Sequence, residues 1–115
     1  MLTELKPMAA LSPSEPNLVV LEGEIDLHES PNVREALKGL IEKKVARIFV
    51  DLTSVNYIDS SGLAVLIDAM QRIQSYGGKF TLFGLRSSVR TVFEIARLDQ
   101  VFRIFPDQKS ALSAT

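Results

Sequence analysis

Val50-Asp51-Leu52-Thr53-Ser54-Val55-Asn56-Tyr57-Ile58-Asp59-Ser60-Ser61-Gly62-Leu63 decides how this chain folds. An apolar run, Ile48 to Leu52, reads as a buried strand. It gives way through Thr53–Ile58, read as a connection, to an amphipathic helix beginning near Ser60. A strand feeding a helix is the repeating unit of an α/β fold. The junction also concentrates two hydroxyls, a carboxylate and a glycine at Asp59-Ser60-Ser61-Gly62. A helix N-terminus carries unpaired N–H groups and about half a positive charge, so it tolerates an anion. A phosphoryl group added there is expected to be accommodated. The residues point to a phosphorylatable switch and not to a catalyst.

Working outward, the rest of the chain alternates in the same way. Leu2 to Met8 is weakly alternating and reads as a first strand, confined to an edge by Pro7. Ser12–Asn17 is dense in turn formers, and Leu18–Leu21 reads as a strand buried on both faces that ends at Glu22-Gly23. Ser30 followed by Pro31 has the form of an N-cap and first helical residue. The helix after it carries Val33, Ala36, Leu37, Leu40 and Ile41 as an apolar stripe, with Lys43-Lys44 expected in its last turn. Arg47 to Leu52 is the strand expected at the centre of the sheet.

From Ser60 to about Tyr76 a helix is expected with Leu63, Leu66, Ile67, Met70 and Ile73 inward, stopped by Gly77-Gly78. Lys79–Phe83 reads as a strand closed by Gly84. Ser87 or Ser88 is expected to cap a helix that buries Val89, Val92, Phe93 and Ala96. Val101–Phe105 reads as a last strand, and Pro106-Asp107 opens a short helix through Leu112. The sum is an α/β fold, one domain over residues 1–115, with a mixed, mostly parallel sheet of about four to five strands and about four helices.

Composition narrows the function classes. A net charge of −1 and a pI near 5.8 give no electrostatic reason to bind nucleic acid. No cysteine is present, which removes disulfides, thiolate nucleophiles and Cys-based metal sites. No apolar run reaches the roughly 20 residues that span a bilayer, and Met1-Leu2-Thr3-Glu4 lacks the features of a signal peptide. The expected location is the cytoplasm, with no membrane partner.

Catalytic constellations fail one by one. His28, the single histidine, falls on a loop and reads as an exposed loop residue. Ile58-Asp59-Ser60-Ser61-Gly62 is no nucleophile elbow, since Ile58 stands where G-x-S-x-G needs glycine. Asp26, His28 and Glu29 lack metal-ligand spacing, and Gly77-Gly78-Lys79 precedes a strand where a P-loop needs a helix. No metal, no cofactor and no enzyme activity are expected. Asp59-Ser60 alone could be a routine helix cap. Ser60, Ser61, Gly62 and Ala64 together leave the backbone open to a partner, which a cap does not require.

The Val50–Leu63 stretch resembles the signature of the STAS domain, and more narrowly it is similar to the anti-sigma-factor antagonists of bacterial partner switching. Gly23-Glu24-Ile25-Asp26, Gly77-Gly78-Lys79-Phe80 and the Val89–Leu98 helix fall where that family has corresponding elements. The resemblance implies that Ser60, directly after Asp59, is phosphorylated by a serine kinase that is also the anti-sigma factor. Ser61 is not the usual acceptor. It implies that the unmodified protein binds that kinase and releases the sigma factor, and that a serine phosphatase resets the switch. Asp26, Asp59, Ser60, Ser61 and Gly62 are then the expected partner-binding residues. The same domain also occurs in anion transporters and lipid-transport assemblies, so a constitutive STAS subunit with Ser60 as a helix cap is the alternative.

Overall fold

The computed structural model describes residues 17–114. The expected strand Leu2–Met8 and the turn before Asn17 lie outside the described residues. Four strands and four helices alternate along the described residues: β1 (Asn17–Ile25), α1 (Ser30–Glu42), β2 (Arg47–Ile58), α2 (Ser60–Ser75), β3 (Lys79–Phe83), α3 (Ser87–Ile95), β4 (Arg103–Phe105) and α4 (Gln108–Ser113). The described strands form one sheet in the order β1-β2-β3-β4, and every pairing is parallel. Parallel neighbours need a crossover, and α1, α2 and α3 supply one each.

Side-chain alternation sorts the sheet into two faces. Val19 and Leu21 of β1, Ile48, Val50 and Leu52 of β2, and Phe80 and Leu82 of β3 pack against Val33 and Leu37 of α1, Leu66 and Ile73 of α2, and Val89 and Phe93 of α3. Phe93 meets Phe102 edge-on at 5.6 Å, which closes that core beneath β4. On the other face Phe49 and Phe83 are covered by Ala111 of α4. β2 is central, as expected.

Several local expectations give way. β1 is not buried on both faces: Val20 is 53% exposed, on the face where Ala111 of α4 packs with Phe49 and Phe83 of β2 and β3. The strand also continues past Gly23, whose φ of +76° lets it bend without breaking the pairing. Thr53–Ile58 is not a connection but the second half of β2. Its partners step from Val20↔Asp51 to Glu22↔Ser54, and from Gly23↔Val55 to Glu24↔Tyr57. Each step adds a residue to β2, a bulge that resets the alternation, so Leu52, Val55 and Ile58 all face inward at a spacing that no regular strand has.

Helix ends differ as well. Glu29 and not Ser30 occupies the N-cap of α1, and Ser30 is already helical. Lys43 and Lys44 lie past the helix, with Lys44 in the left-handed conformation (φ 53°) that ends it. Arg86, not Ser87 or Ser88, is the N-cap of α3. Ala36 and Ala96 are exposed and leave their expected stripes. A turn of 3₁₀ helix at Leu98–Gln100 shortens the last strand to Arg103–Phe105 and leaves Val101 outside it. α2 runs Ser60–Ser75 and buries Val65 and Ala69 besides the expected residues, while Ile67 is half-buried. Gly77, at φ +88°, follows it as the left-handed stop, and the Gly78 amide returns to Ile73 O at 2.9 Å.

Candidate functional site

β1 and β2 run side by side and end together, with Ile25 opposite Ile58. Each strand is followed at once by an aspartate, Asp26 or Asp59, and then by a helix. The Asp59 amide donates to Ile25 O at 3.3 Å, which ties the start of α2 to the end of β1.

Asp59 is the residue that begins α2. Its backbone is extended (φ −114°, ψ −172°), and Oδ1 accepts from the amides of Ser61 at 2.9 Å and Gly62 at 3.2 Å. Its carbonyl accepts from Leu63 N at 3.0 Å. The N-terminal anion position is therefore filled by a carboxylate of the chain itself. The expectation of N–H groups left free for a phosphate does not hold for Ser61 or Gly62.

Ser60 is exposed, and its hydroxyl makes no hydrogen bond among the described residues. It is not the cap. Ser61 is half-buried, its amide engaged by Asp59. Gly62, also in the expected partner-binding set, is buried inside the molecule. A Cβ there would lie 2.6 Å from Ile25 O and 2.8 Å from Ile58 Cγ1. The glycine is required so that α2 can press against the end of β1.

Asp26 does for α1 something close to what Asp59 does for α2. Its Oδ1 accepts from Glu29 N at 2.9 Å and its carbonyl from Ser30 N at 2.8 Å, which turns the chain into the helix. Asp26 and Asp59 border one open depression together with Glu24, Leu27, His28, Pro31 and Tyr57. His28 is exposed, as expected of a loop residue. Glu24, Leu27 and Tyr57 were not singled out from sequence. Leu27 is 74% and Tyr57 48% exposed, and two large apolar groups within polar segments were the available signal.

The remaining carboxylates of interest lie elsewhere. Asp51 Oδ1 accepts from Thr53 N at 2.8 Å, and Asp68 bridges Arg34 (3.2 Å) and Arg72 (2.9 Å) across the exposed faces of α1 and α2. Among the described residues no group of three His, Asp or Glu side chains could hold a metal ion, and no helix is long and apolar enough to cross a membrane.

Comparison with known proteins agrees with this architecture. Residues 10–111 match the model of the STAS domain. The chain is 35% identical over 86 residues to the anti-sigma-B factor antagonist of Listeria monocytogenes, covering 75% of each chain. It is 33% identical over 86 residues to that of Bacillus subtilis, covering 75% of this chain and 78% of the relative. An anti-sigma factor antagonist structure from Mycobacterium paratuberculosis superposes with a TM-score of 0.80 at 24% identity, over 88% of this chain and 86% of that one; at that identity the likeness concerns the fold. With a parallel α/β sheet, an Asp-Ser-Ser-Gly helix start and a family match across most of its length, the chain belongs to the STAS domain family.

Proposed function

We propose that this domain is an anti-sigma-factor antagonist, a binding protein and not an enzyme, whose docking to a serine-kinase anti-sigma factor is ended by phosphorylation of Ser60. The names of its relatives support the first part. The observation that supports the second is the division of labour at the start of α2. Asp59 performs the capping, so the exposed, unpartnered hydroxyl of Ser60 has no structural task. That removes the duty which the alternative, a constitutive subunit with Ser60 as cap, assigns to this residue. Asp26, Asp59, Ser60 and Ser61 form the docking face, and Gly62 acts from beneath by holding α2 against β1.

The switch follows from where the charge lands. Phosphorylation adds about −1.5 to −2 charges at neutral pH. In the free domain water solvates them, since Ser60 is exposed. In a complex the phosphate must be desolvated next to the Asp59 carboxylate, whose own bonds already use the Ser61 and Gly62 amides. An uncompensated buried charge costs several kcal/mol, and each ~1.4 kcal/mol is tenfold in affinity. Modification can thus release the partner without unfolding the domain. A serine phosphatase would restore binding. Both partners act in the cytoplasm, where this reading places the chain.

The test is a paired capture from lysate of the native host with Ser60→Ala and Ser60→Asp as baits, partners being identified by mass spectrometry. Capture of a serine kinase by Ser60→Ala and not by Ser60→Asp is the expected result. Ser60→Asp should stay within about 0.5 kcal/mol of the parent in stability, as exposed substitutions do. Equal capture of a transporter subunit by both baits would replace this reading with a constitutive module.

A further inference from the structure

Resting on that reading, we infer that the docking face takes a protein surface in which an apolar pocket is edged by Arg or Lys, and that Leu27 and Tyr57 are the anchors it receives. The charge is one-sided. Glu22–Pro31 holds Glu22, Glu24, Asp26 and Glu29, Thr53–Ala64 adds Asp59, and neither segment contains Lys or Arg. Glu24, Asp26 and Asp59 all border the same depression. A cleft lined by one sign of charge draws the opposite sign by long-range attraction and rejects its own. The complementary partner is cationic.

The apolar part is equally local. Leu27 is 74% and Tyr57 48% exposed, and both border the same depression as the carboxylates. Leu27 directly follows Asp26, whose carboxylate fixes the turn at Glu29, so the side chain projects from a defined backbone. Tyr57 sits on β2 opposite Glu24. A large apolar group on a rigid element loses little freedom on binding, which is the property of interface anchors.

This arrangement also divides the kinetics. Phosphate on Ser60 makes an acidic face more acidic, so it cannot act by weakening attraction to a cationic partner at a distance. Its effect belongs at contact, where charge in excess of what the rim cations share with Glu24, Asp26 and Asp59 must be desolvated beside Asp59. Charge removal at Glu22 and Glu24 should therefore slow association, whereas Ser60→Asp should hasten dissociation.

The experiment measures association and dissociation rates between the full chain and the purified serine-kinase anti-sigma factor of the same host, at low and high salt. Leu27→Ala and Tyr57→Ala are each expected to weaken binding about tenfold or more, as anchor truncations do. Ile95→Ala, equally exposed but on α3, should leave it unchanged and serves as the control. The Glu22→Gln/Glu24→Gln pair should slow association and flatten its salt dependence. Ser60→Asp should raise the dissociation rate with association equal or faster. Full affinity in both Leu27→Ala and Tyr57→Ala, or association indifferent to salt and to the glutamine pair, overturns the inference. If Ser60→Asp binds like the parent while the two anchor variants still bind weakly, the phosphorylation gate fails and the docking face stands. Absence of any binding by the parent chain overturns both.

Discussion

Asp59 and Gly62 show how few atoms hold the start of α2 in place. The Asp59 carboxylate satisfies two amides of the first turn. Asp59→Ala leaves them to water and should lower stability by about 1 kcal/mol, with Asn largely restoring it. Chemical unfolding of the three proteins would check this, and an alanine as stable as the parent would contradict the capping role. Gly62→Ala is the harsher change. Its methyl would meet Ile25 O at 2.6 Å and Ile58 Cγ1 at 2.8 Å, and a strand carbonyl cannot rotate away as a side-chain end can. A loss of about 1–3 kcal/mol is expected, as for overpacking in a core. Because Ile25 precedes Asp26, the displaced strand end should also weaken partner capture, while Gly39→Ala, with open space around it, should leave capture unchanged.

Among elements, the helix ends offer two measurements. Lys44 ends α1 at φ 53° and Arg97 follows α3 at φ 61°, in a region that costs a side-chain-bearing residue about 1–2 kcal/mol. Glycine removes that cost but raises the entropy of the unfolded chain by a comparable, smaller amount. Lys44→Gly and Arg97→Gly should each stabilise by roughly 0.5 kcal/mol, readable as a raised unfolding midpoint.

The second measurement concerns α4. The Ser110 amide and hydroxyl both donate to Asp107 Oδ1, at 2.8 Å each. These bonds, the backbone one first, hold the Asp107 carboxyl below its ordinary value. A carboxyl depressed in the folded state contributes stability above its unfolded pKa and loses it as pH falls through the folded one. Protection of the Ser110 amide, measured against its intrinsic exchange rate, should therefore persist at neutral pH and fall only in acid, below about pH 3.9, the ordinary Asp value. In Asp107→Ala that amide should lose this protection and show no such dependence on pH. The contribution is local, since the group is fully exposed.

For the whole molecule, one core joins β1, β2 and β3 to α1, α2 and α3. The described residues have a radius of gyration of 13.3 Å, close to the ~13 Å of a compact domain of about 100 residues. Unfolding should thus be one cooperative transition by fluorescence-independent probes such as circular dichroism and calorimetry. Two separable transitions would show that the α4 side folds by itself. Leu66, fully buried where α2 meets the sheet, is the position at which truncation should cost most. Leu66→Ala should lose about 2–5 kcal/mol with the denaturant slope unchanged.

How much of this could be read from the chain differs between features for a physical reason. The alternation of elements, the start of α2 at Asp59-Ser60, its stop at Gly77 and the strand Lys79–Phe83 are set by neighbours within a turn or two. Periodicity, a short polar side chain and a glycine free to take positive φ act at that range, so the sequence by itself determined them. The second half of β2 is different. Leu52, Val55 and Ile58 show no strand period, because the bulges that bring all three inward exist only by pairing with β1. The same pairing sets Tyr57 opposite Glu24 and Ile58 opposite Ile25. That register decides that Asp26 and Asp59 share one depression with Leu27, and that Gly62 is buried while Ser60 stays in water. Only the tertiary structure could decide this, since register and burial depend on hydrogen bonds and packing between segments some thirty residues apart, about which neither segment's own composition carries information.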